Sequence, residues 1–501
     1  MKFQNKLLII LLLPLMVLTG CSKDEEGVPE SENDTLNISK AELVFMARDT
    51  KKSLNIQSNS EWEITAEDDS WFSVSQTQGQ GNVEIFIEPL ENTGIRRSSS
   101  LTINTGQLTK SVEIVQNAVE NAENKFLMRA EITMDNVFSH MWNDTEKVFY
   151  DKYPNESAGK SFNFSSKLPY DRGFTFLWGF SSVFSGYNAL TQHTETEGGY
   201  EKYYNLYGDD LFDGLAVYDN SDKSPPGYAS FGNGHDDRYY DDNVWIGIDL
   251  LELSTHTPET WTLQKSKIVW NFIMSGRDDV LGDGVYWKEG DFSSKNTVSN
   301  APVVVMGVKM YQVTQADQYL DTAKELYAWT KENLQDPSDY LYWDNIRTAD
   351  GSIDEAKYHY NSGQMMQAAV LLYQATGEQE YLTDARNLAE ACYQNFFENY
   401  TPQGGQQLRI VKDRHIWFSA IMFRGFVELY EVDNDPKYID AYEDSLDLAW
   451  ENSRDPESGL FIGSFKGASE STVRNSEKVL LDQGGFIEMF ARMYIVKNGI
   501  E

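Results

Sequence analysis

Cysteine and histidine are scarce in this chain of 501 residues. The two cysteines are Cys21 and Cys392, and they can build neither a disulfide framework nor a structural zinc site. The six histidines stand far apart, and none has the spacing of a metal-ligand motif. The sequence therefore predicts no metal centre and implies no cofactor.

Positive charge is also scarce, because 42 lysine and arginine residues face 78 aspartate and glutamate residues, a formal net charge of −36. Such acidity argues against binding to nucleic acid or to anionic lipid, since both need a basic surface. It suits a soluble, self-repelling protein with a neutral substrate, and we expect a monomer. Aromatic residues make up 13% of the chain. This favours either flat apolar ligands, such as sugar faces, or an aromatic core.

The apolar run at residues 7–18 is too short for a membrane-spanning helix. It follows two lysines and precedes small residues and Cys21, a pattern that resembles a bacterial lipoprotein signal. The resemblance implies that residues 1–20 are removed and that Cys21 carries lipid; an ordinary signal peptide with an incidental cysteine is the alternative. Residues 21–36 are expected to be an acidic, flexible tether like those of Bacteroidetes surface lipoproteins. The expected location is the outer membrane, exposed at the cell surface.

Residues 37–118 show the two-residue alternation of half-buried strands, as at 101–103 and 112–115. Glycine- and asparagine-rich turns separate these runs, which predicts a small, immunoglobulin-like β-sandwich. The segment resembles the BACON module of Bacteroidetes at residues 60–62, 71–75, 79–82 and 92–94, at Arg96 and Arg97, and at 115–116. The resemblance implies carbohydrate binding. The alternative is a plain spacer with Trp62 and Trp71 in its core.

After a linker at residues 119–125, the region 126–499 shows a helical pattern with an internal repeat. A motif beginning with an aromatic residue recurs at intervals of about 60 residues, at Trp261, Tyr319, Tyr381 and Tyr438. Each repeat holds a charged amphipathic stretch preceded by a more apolar one. About six such pairs favour closure into an (α/α)6 toroid, with an open solenoid as the alternative.

The segments that would enter the inner helices combine aromatic and polar residues, and closure of the ring would bring them to one face. These segments are 170–172 with Trp178, 239–245, 295–300, 360–364, 415–418 with 423–425, and 482–485; 284–287 and 341–345 lie between pairs. Aromatic rings stack on sugar C–H surfaces, while amides and carboxylates bind hydroxyl groups. The pattern predicts a carbohydrate cleft, although Ser, Asp and Asn are also ordinary helix caps.

One pair of adjacent aspartates, Asp241 and Asp242, stands out because aromatic residues flank it and an apolar helix follows. Neighbouring carboxyl groups on a helix can lie roughly 5 Å apart, as in retaining glycosidases, whereas inverting enzymes need roughly 6.5–9.5 Å. An ionised Asp241 would raise the pKa of Asp242 and keep it protonated as an acid. The alternative is a pair that caps a helix and binds a cation or an amide.

Together these motifs resemble glycoside hydrolase family 76, the endo-α-1,6-mannanases. The matching residues include the tandem aspartates and the segments 295–300, 341–345 and 360–363. The resemblance implies an (α/α)6 fold, a retaining mechanism and α-mannan or an α-1,6-manno-oligosaccharide as substrate. It implies that Asp241 is the nucleophile and Asp242 the acid/base. The cleft residues expected from it are Asp344, Trp178, Tyr240, Trp287, Trp343, Asn345, Tyr360, Asn361 and Arg424, of which Trp178 and Arg424 could equally be structural.

Three other functions stay open at this stage. Some fungal members of the family are wall glycan transferases, so transglycosylation is one of them. A non-catalytic lipoprotein that binds surface glycans is the second. The third is an unsaturated glucuronyl hydrolase, which needs basic residues for the uronate carboxylate; Arg172, Lys295 and Arg424 are the candidates.

Overall fold

The residues described by the computed structural model are 34–92, 96–106, 108–121, 123–155, 173–192, 199–231, 237–257 and 260–499. The expected signal peptide, Cys21, most of the expected tether and Arg172 lie outside these ranges. The chain divides into two compact units, Met1–Val119 and Glu120–Glu501.

The N-terminal unit is built from short strands in two sheets. In chain order the strands are β1 (Leu36–Ile38), β2 (Glu42–Phe45), β3 (Lys52–Ser58), β4 (Glu61–Ala66), β5 (Phe72–Val74), β6 (Gln78–Gln80), β7 (Val83–Pro89), β8 (Arg97–Thr105) and β9 (Leu108–Gln116). One sheet has the order β1-β3-β7-β5 and the other β2-β9-β8-β4-β6. Strands β2 and β9 pair in parallel, whereas the other pairs of both sheets are antiparallel.

The two sheets of the N-terminal unit share one hydrophobic core. The alternation expected around Leu101 and Ile103 is confirmed, because both side chains are fully buried while their strand neighbours are half-exposed. Trp62 and Trp71 are 3% and 4% exposed. Both indoles therefore pack inside this unit, as the spacer interpretation expects, and neither ring face is open to a sugar.

The second unit is mainly helical. Its helices are α1 (Lys125–Met141), α2 (Leu177–Gln192), α3 (Gly199–Tyr203), α4 (Asp209–Val217), α5 (Tyr240–His256), α6 (Thr260–Met274), α7 (Thr297–Thr314), α8 (Asp317–Leu334), α9 (His359–Thr376), α10 (Gln379–Phe396), α11 (Ile416–Asp433), α12 (Lys437–Asn452), α13 (Glu470–Asn475) and α14 (Leu480–Asn498). A π-helical turn, Tyr204–Gly208, joins α3 to α4.

Helices α2, α5, α7, α9, α11 and α14 form a ring, in which each helix packs against the next and α14 packs against α2. Helices α6, α8 and α10 each pack against the preceding member of this ring. The repeated residues Trp261, Tyr319, Tyr381 and Tyr438 all lie in the first turn of such outer helices. The repeat read from the sequence therefore marks the start of each outer helix.

Close approach between ring helices depends on glycine. A Cβ atom on Gly363 of α9 would lie 2.3 Å from the Cα atom of Met422 on α11, and one on Gly425 would lie 2.6 Å from the carbonyl oxygen of Gly363. Because real Cβ atoms do not come that close to backbone atoms, any larger residue would push these helices apart.

The expectation that residues 126–499 are helical throughout is wrong at the connections, where short strands occur. They are β10 (Trp142–Asn143), β11 (Val148–Phe149), β12 (Lys152–Tyr153), β13 (Asp219–Asn220), β14 (Gly227–Tyr228), β15 (Tyr286–Lys288), β16 (Asp291–Asn296), β17 (Trp343–Arg347), β18 (Ile353–Lys357), β19 (Phe397–Tyr400), β20 (Leu408–Val411) and β21 (Lys478–Val479). Strands β15 to β18 form one antiparallel sheet in sequence order. Gly290 permits its first turn, because φ is 74° there.

Charged side chains fill the axis of the helical ring below its N-terminal ends. Arg424 of α11 and Arg492 of α14 both bind Glu488, while Lys309 of α7 binds Glu252 of α5. Arg424, Arg492, Glu488 and Glu252 are buried, so each of these charges depends on its partner, whereas Lys309 is half-buried.

Two further findings concern single features of the chain. Cys392 is fully buried in α10. Within the residues that the structure describes, no helix has the length and apolar character needed to cross a membrane.

Candidate active site

A cavity of about 910 Å³ opens at the N-terminal ends of the ring helices. The starts of α2, α5, α7, α9 and α11 contribute to its wall, together with the sheet β15–β18. Its aromatic lining residues are Phe176, Trp178, Phe231, Tyr239, Trp245, Trp287, Tyr358, Tyr360, Trp417 and Phe418. Its carboxylates are Asp237, Asp241, Asp242 and Asp344, and the remaining lining residues are Ser230, Ser294, Asn296, Val298, Asn345 and His415.

The predicted aspartate pair lies in the first turn of α5, which begins at Tyr240. Both carboxyl groups are half-buried in the cavity wall. The indole Nε1 of Trp287 donates a hydrogen bond of 3.1 Å to Oδ2 of Asp241. The N-terminal end of a helix favours negative charge, because its first backbone N–H groups have no partners within the helix.

The two carboxyl groups differ in acidity. Burial raises the pKa of Asp241 to about 6, although the hydrogen bond from Trp287 lowers it in part. Burial, together with the charge of Asp241, holds the pKa of Asp242 well above its usual range. At a pH where Asp241 is ionised, Asp242 is therefore the carboxyl group of the pair that keeps its proton. This division between a charged and a protonated carboxyl group is what acid-assisted displacement needs.

A third carboxyl group faces the same cavity. Asp344 on β17 accepts a hydrogen bond of 2.9 Å from the side-chain amide of Asn345. Burial raises the pKa of Asp344, and its charge in turn raises the pKa of Asp241. The sheet β15–β18 thus brings Asp344 and Asn345 to the aspartate pair on α5.

Aromatic rings from four helices, α2, α5, α9 and α11, make a continuous part of the wall. The indole of Trp417 meets Trp178 edge to face at 5.6 Å and Trp245 at 5.3 Å. Tyr360 meets Phe418 at 4.2 Å, also edge to face. The half-buried ring of Trp178 presents a flat apolar face beside the carboxylates, which suits the C–H face of a sugar, and the buried indole of Trp417 fixes its orientation.

Of the predicted site residues, Asp241, Asp242, Asp344, Trp178, Trp287, Asn345 and Tyr360 line this cavity. Tyr240 does not, since its ring is 4% exposed and stacks on Phe272 at 4.9 Å. Trp343 and Asn361 are also absent from the wall. Asn361 is fully buried, while the carbonyl oxygen of Trp343 accepts a hydrogen bond from Thr297 at 2.5 Å.

Arg424 is likewise no cleft residue in this structure. Its side chain is 2% exposed, and its Nε and Nη2 atoms bind the two carboxylate oxygens of Glu488 at 2.6 and 3.0 Å. The guanidinium group lies 5.9 Å from the ring of Trp245, behind the cavity wall. The expectation of a sugar contact is therefore corrected to a place in the buried ionic core.

Sequence analysis missed several wall residues. Trp245, Trp417 and Phe418 lie in the predicted cleft segments 239–245 and 415–418 but were not among the individually expected residues. Phe231 gave no such signal, because it lies in a connection between helices.

Two of the three basic residues proposed for a uronate substrate, Lys295 and Arg424, are not available to a ligand. Lys295 is fully buried, and its ammonium group binds Asp278 and the carbonyl oxygens of Val280 and Gly282. Arg424 is paired with Glu488, and Arg172 lies outside the described residues. The described wall contains no lysine or arginine, so it favours an uncharged ligand. In the same part of the chain no three His, Cys, Asp or Glu side chains gather as metal ligands would.

Comparisons with known proteins agree with a carbohydrate site. The sequence profile of glycosyl hydrolase family 76 matches residues 198–459. The structure is similar to a family 76 glycoside hydrolase (mannosidase), Bt3792 from Bacteroides thetaiotaomicron, with 33% identity and a TM-score of 0.68; the match covers 75% of this chain and all of that one. A family 76 glycoside hydrolase from a bovine strain of the same species shows 26% identity and a TM-score of 0.67, over 92% of this chain and 99% of that one.

Among curated relatives, the mannan endo-1,6-α-mannosidase DFG5 of Candida albicans is 24% identical over 189 residues. The matched region covers 35% of this chain and 41% of that protein. Two putative mannan endo-1,6-α-mannosidases of Schizosaccharomyces pombe are matched over a similar share, so the chain spans about two fifths of the length of these three relatives.

Proposed function

The chain belongs to glycosyl hydrolase family 76, and from this membership we propose that it hydrolyses α-1,6-mannosidic bonds within the backbone of α-mannan. The observation that carries the proposal is the aspartate pair at the start of α5, which stands in an aromatic cavity with one charged and one protonated carboxyl group. The names of the mannosidases to which the chain is similar support mannan as the substrate.

The proposed mechanism is a retaining double displacement. Asp241 attacks the anomeric carbon while Asp242 gives its proton to the departing glycosidic oxygen. Once the ester to Asp241 has formed, the negative charge that raised the pKa of Asp242 is gone, and Asp242 can serve as the base for a water molecule. Asp344 and Asn345 would bind hydroxyl groups of the sugar that is cleaved, because both line the cavity beside the pair.

We infer that the helical ring with its outer helices is an (α/α)6 toroid, which the closed cycle of contacts supports. The N-terminal unit is proposed to be a BACON-like, immunoglobulin-like sandwich that acts as a spacer, since Trp62 and Trp71 are buried. The lipoprotein pattern around Cys21 supports an outer-membrane, surface-exposed enzyme.

A proton NMR time course on linear α-1,6-manno-oligosaccharide tests the activity and the mechanism together. The wild-type protein is run beside Asp241→Asn and Asp242→Asn. Asp209→Asn is the matched control, because Asp209 also lies in the first turn of a helix but is exposed and outside the cavity wall. We expect the α-anomer of the product first from wild type and control, and no product from either cavity variant.

Other outcomes are equally informative. Early β-anomer would contradict the role of Asp241 as nucleophile. Longer oligosaccharides at the expense of short ones would indicate transglycosylation. Unchanged substrate with retained affinity, measured by calorimetry on the same oligosaccharide, would indicate a binding protein without catalysis.

A further inference from the structure

We propose that Trp287 is a positioning residue, whose indole N–H holds the carboxylate of Asp241 in its reactive orientation. This inference rests on the proposed function. It goes beyond the expected sugar-binding role of Trp287, because the nucleophile itself is the group that Trp287 contacts. The contact is the 3.1 Å hydrogen bond from Nε1 to Oδ2 of Asp241.

Within the described part of the chain, no other side chain donates a hydrogen bond to Asp241 or Asp242. The second oxygen of Asp241, Oδ1, is buried and has no hydrogen-bond partner. A carboxylate with one oxygen held and the other unpaired has a fixed plane and a free lone pair. Among the described side chains, the indole N–H is therefore the donor that orients Asp241, beside the backbone N–H groups of Asp241 and Asp242 that also lower its pKa.

The segment that carries Trp287 is joined firmly to the start of α5. Tyr239 and Lys288 form an antiparallel bridge, and the backbone N–H of Glu289 donates to the carbonyl oxygen of Arg238 at 3.0 Å. The fully buried side chain of Arg238 also binds the carboxylate of Glu289, with Nε to Oε2 at 2.9 Å. These links fix β15 against the residues that precede the aspartate pair.

Ring packing adds to this rigidity. The ring of Tyr239, the residue just before α5, meets the indole of Trp287 at 5.0 Å and an interplanar angle of 61°. Trp287 is nevertheless 39% exposed, so one side of the indole faces the open cavity. Trp287 can thus contact a sugar and Asp241 at the same time.

This hydrogen bond contributes to both displacement steps of the proposed reaction. In the first step Asp241 bonds to the anomeric carbon while the glycosidic C–O bond breaks and Asp242 protonates the departing oxygen. In the second step water attacks the same carbon, Asp242 accepts its proton, and the bond to Asp241 breaks. A donor on Oδ2 stabilises the carboxylate as nucleophile before the first step and as leaving group in the second.

The test is the pH profile of kcat/KM with a dinitrophenyl glycoside of α-1,6-mannobiose, whose leaving group needs no proton. The acid limb then reports Asp241 in the free enzyme. Trp287→Phe keeps an aromatic ring and removes the N–H, and we expect the limb to move up by about one pH unit. Trp287→Tyr, as a second variant without the indole N–H, should move it in the same direction.

Trp178→Phe is the matched control, because Trp178 lines the same cavity but binds neither carboxylate. This control can lower activity through lost sugar contacts, yet its acid limb should coincide with that of the wild type. An unmoved limb in both Trp287 variants, or an equal shift in Trp178→Phe, would overturn the inference. If the wild type is active and Asp241→Asn is not, such a result refutes the role of Trp287 alone; an active Asp241→Asn refutes the proposed function.

Discussion

Replacing Arg424 by methionine separates a structural role from a role in sugar binding. The guanidinium group of Arg424 makes a two-pronged contact with Glu488 in the core of the ring, at 2.6 and 3.0 Å. Methionine fills much of the same volume but leaves Glu488 with Arg492 as its remaining partner. The loss falls on a carboxylate that is itself fully buried.

The loss of stability expected for Arg424→Met follows from the burial of the ion pair. Breaking a buried ion pair by removing one partner costs about 3–5 kcal/mol, and the remaining bond from Arg492 favours the lower end. For the unit Glu120–Glu501 the unfolding entropy is about 0.8 kcal/mol/K, taking about 2.1 cal/mol/K per residue. The expected drop in Tm is therefore about 4–6 °C.

Thermal unfolding monitored by circular dichroism measures this drop, and calorimetry at 25 °C measures the affinity for an α-1,6-manno-oligosaccharide. Arg386→Met is the matched control, because Arg386 pairs with Asp433 at 3.5 Å at the surface, with 53% of its side chain exposed. A surface pair of this kind contributes less than about 1 kcal/mol. An unchanged Tm of Arg424→Met combined with lost sugar affinity would refute the reasoning and return Arg424 to the cleft.

Three further predictions follow from the described geometry. The kcat/KM of the wild type on α-1,6-manno-oligosaccharide should rise through about pH 6, where Asp241 ionises, and fall at higher pH, where Asp242 loses its proton; a profile without an acid limb near pH 6 would contradict this. Burial raises the pKa of Asp249 to about 7, so ionisation in the folded state costs stability. The free energy of unfolding should decline between about pH 4 and pH 7 by up to roughly 4 kcal/mol, and Asp249→Asn should flatten this decline in urea titrations. Trp62→Ala should destabilise the N-terminal unit by about 3–5 kcal/mol without changing mannan binding, and a loss of affinity in a folded variant would disprove the spacer role.

The positions of helix starts explain why much of the site could be predicted. Asp241, Tyr360 and Trp178 stand at or near the beginnings of helices in a repeat of about 60 residues, and closure of that repeat brings such positions to one face. The tandem aspartates could be identified because aromatic residues flank them and an apolar helix follows. These positions could be predicted from the order of the residues alone.

The incorrect site predictions concern residues whose side chains lie away from the cavity although residues close to them in the sequence line it. Tyr240 adjoins Asp241, but successive side chains on a helix diverge by about 100°, so Tyr240 enters the core against Phe272. Arg424 was expected in the cleft because its segment gives no sign of its ion-pair partner. That partner, Glu488, lies 64 positions further along the chain. A local pattern cannot reveal such a partner.

By itself, the sequence determined the succession of a strand-rich and a helix-rich region, the repeat, and the identity of the acidic pair, because these depend on local periodicity and composition. Only the tertiary structure decided which polar groups face the cavity and which are neutralised in the core. It placed Trp287 of β15 on Asp241 of α5, and it paired Lys295 with Asp278 and Arg424 with the buried Glu488. The physical reason is that burial and pairing are properties of three-dimensional neighbours, and these neighbours set the charge state of every carboxyl group in the site.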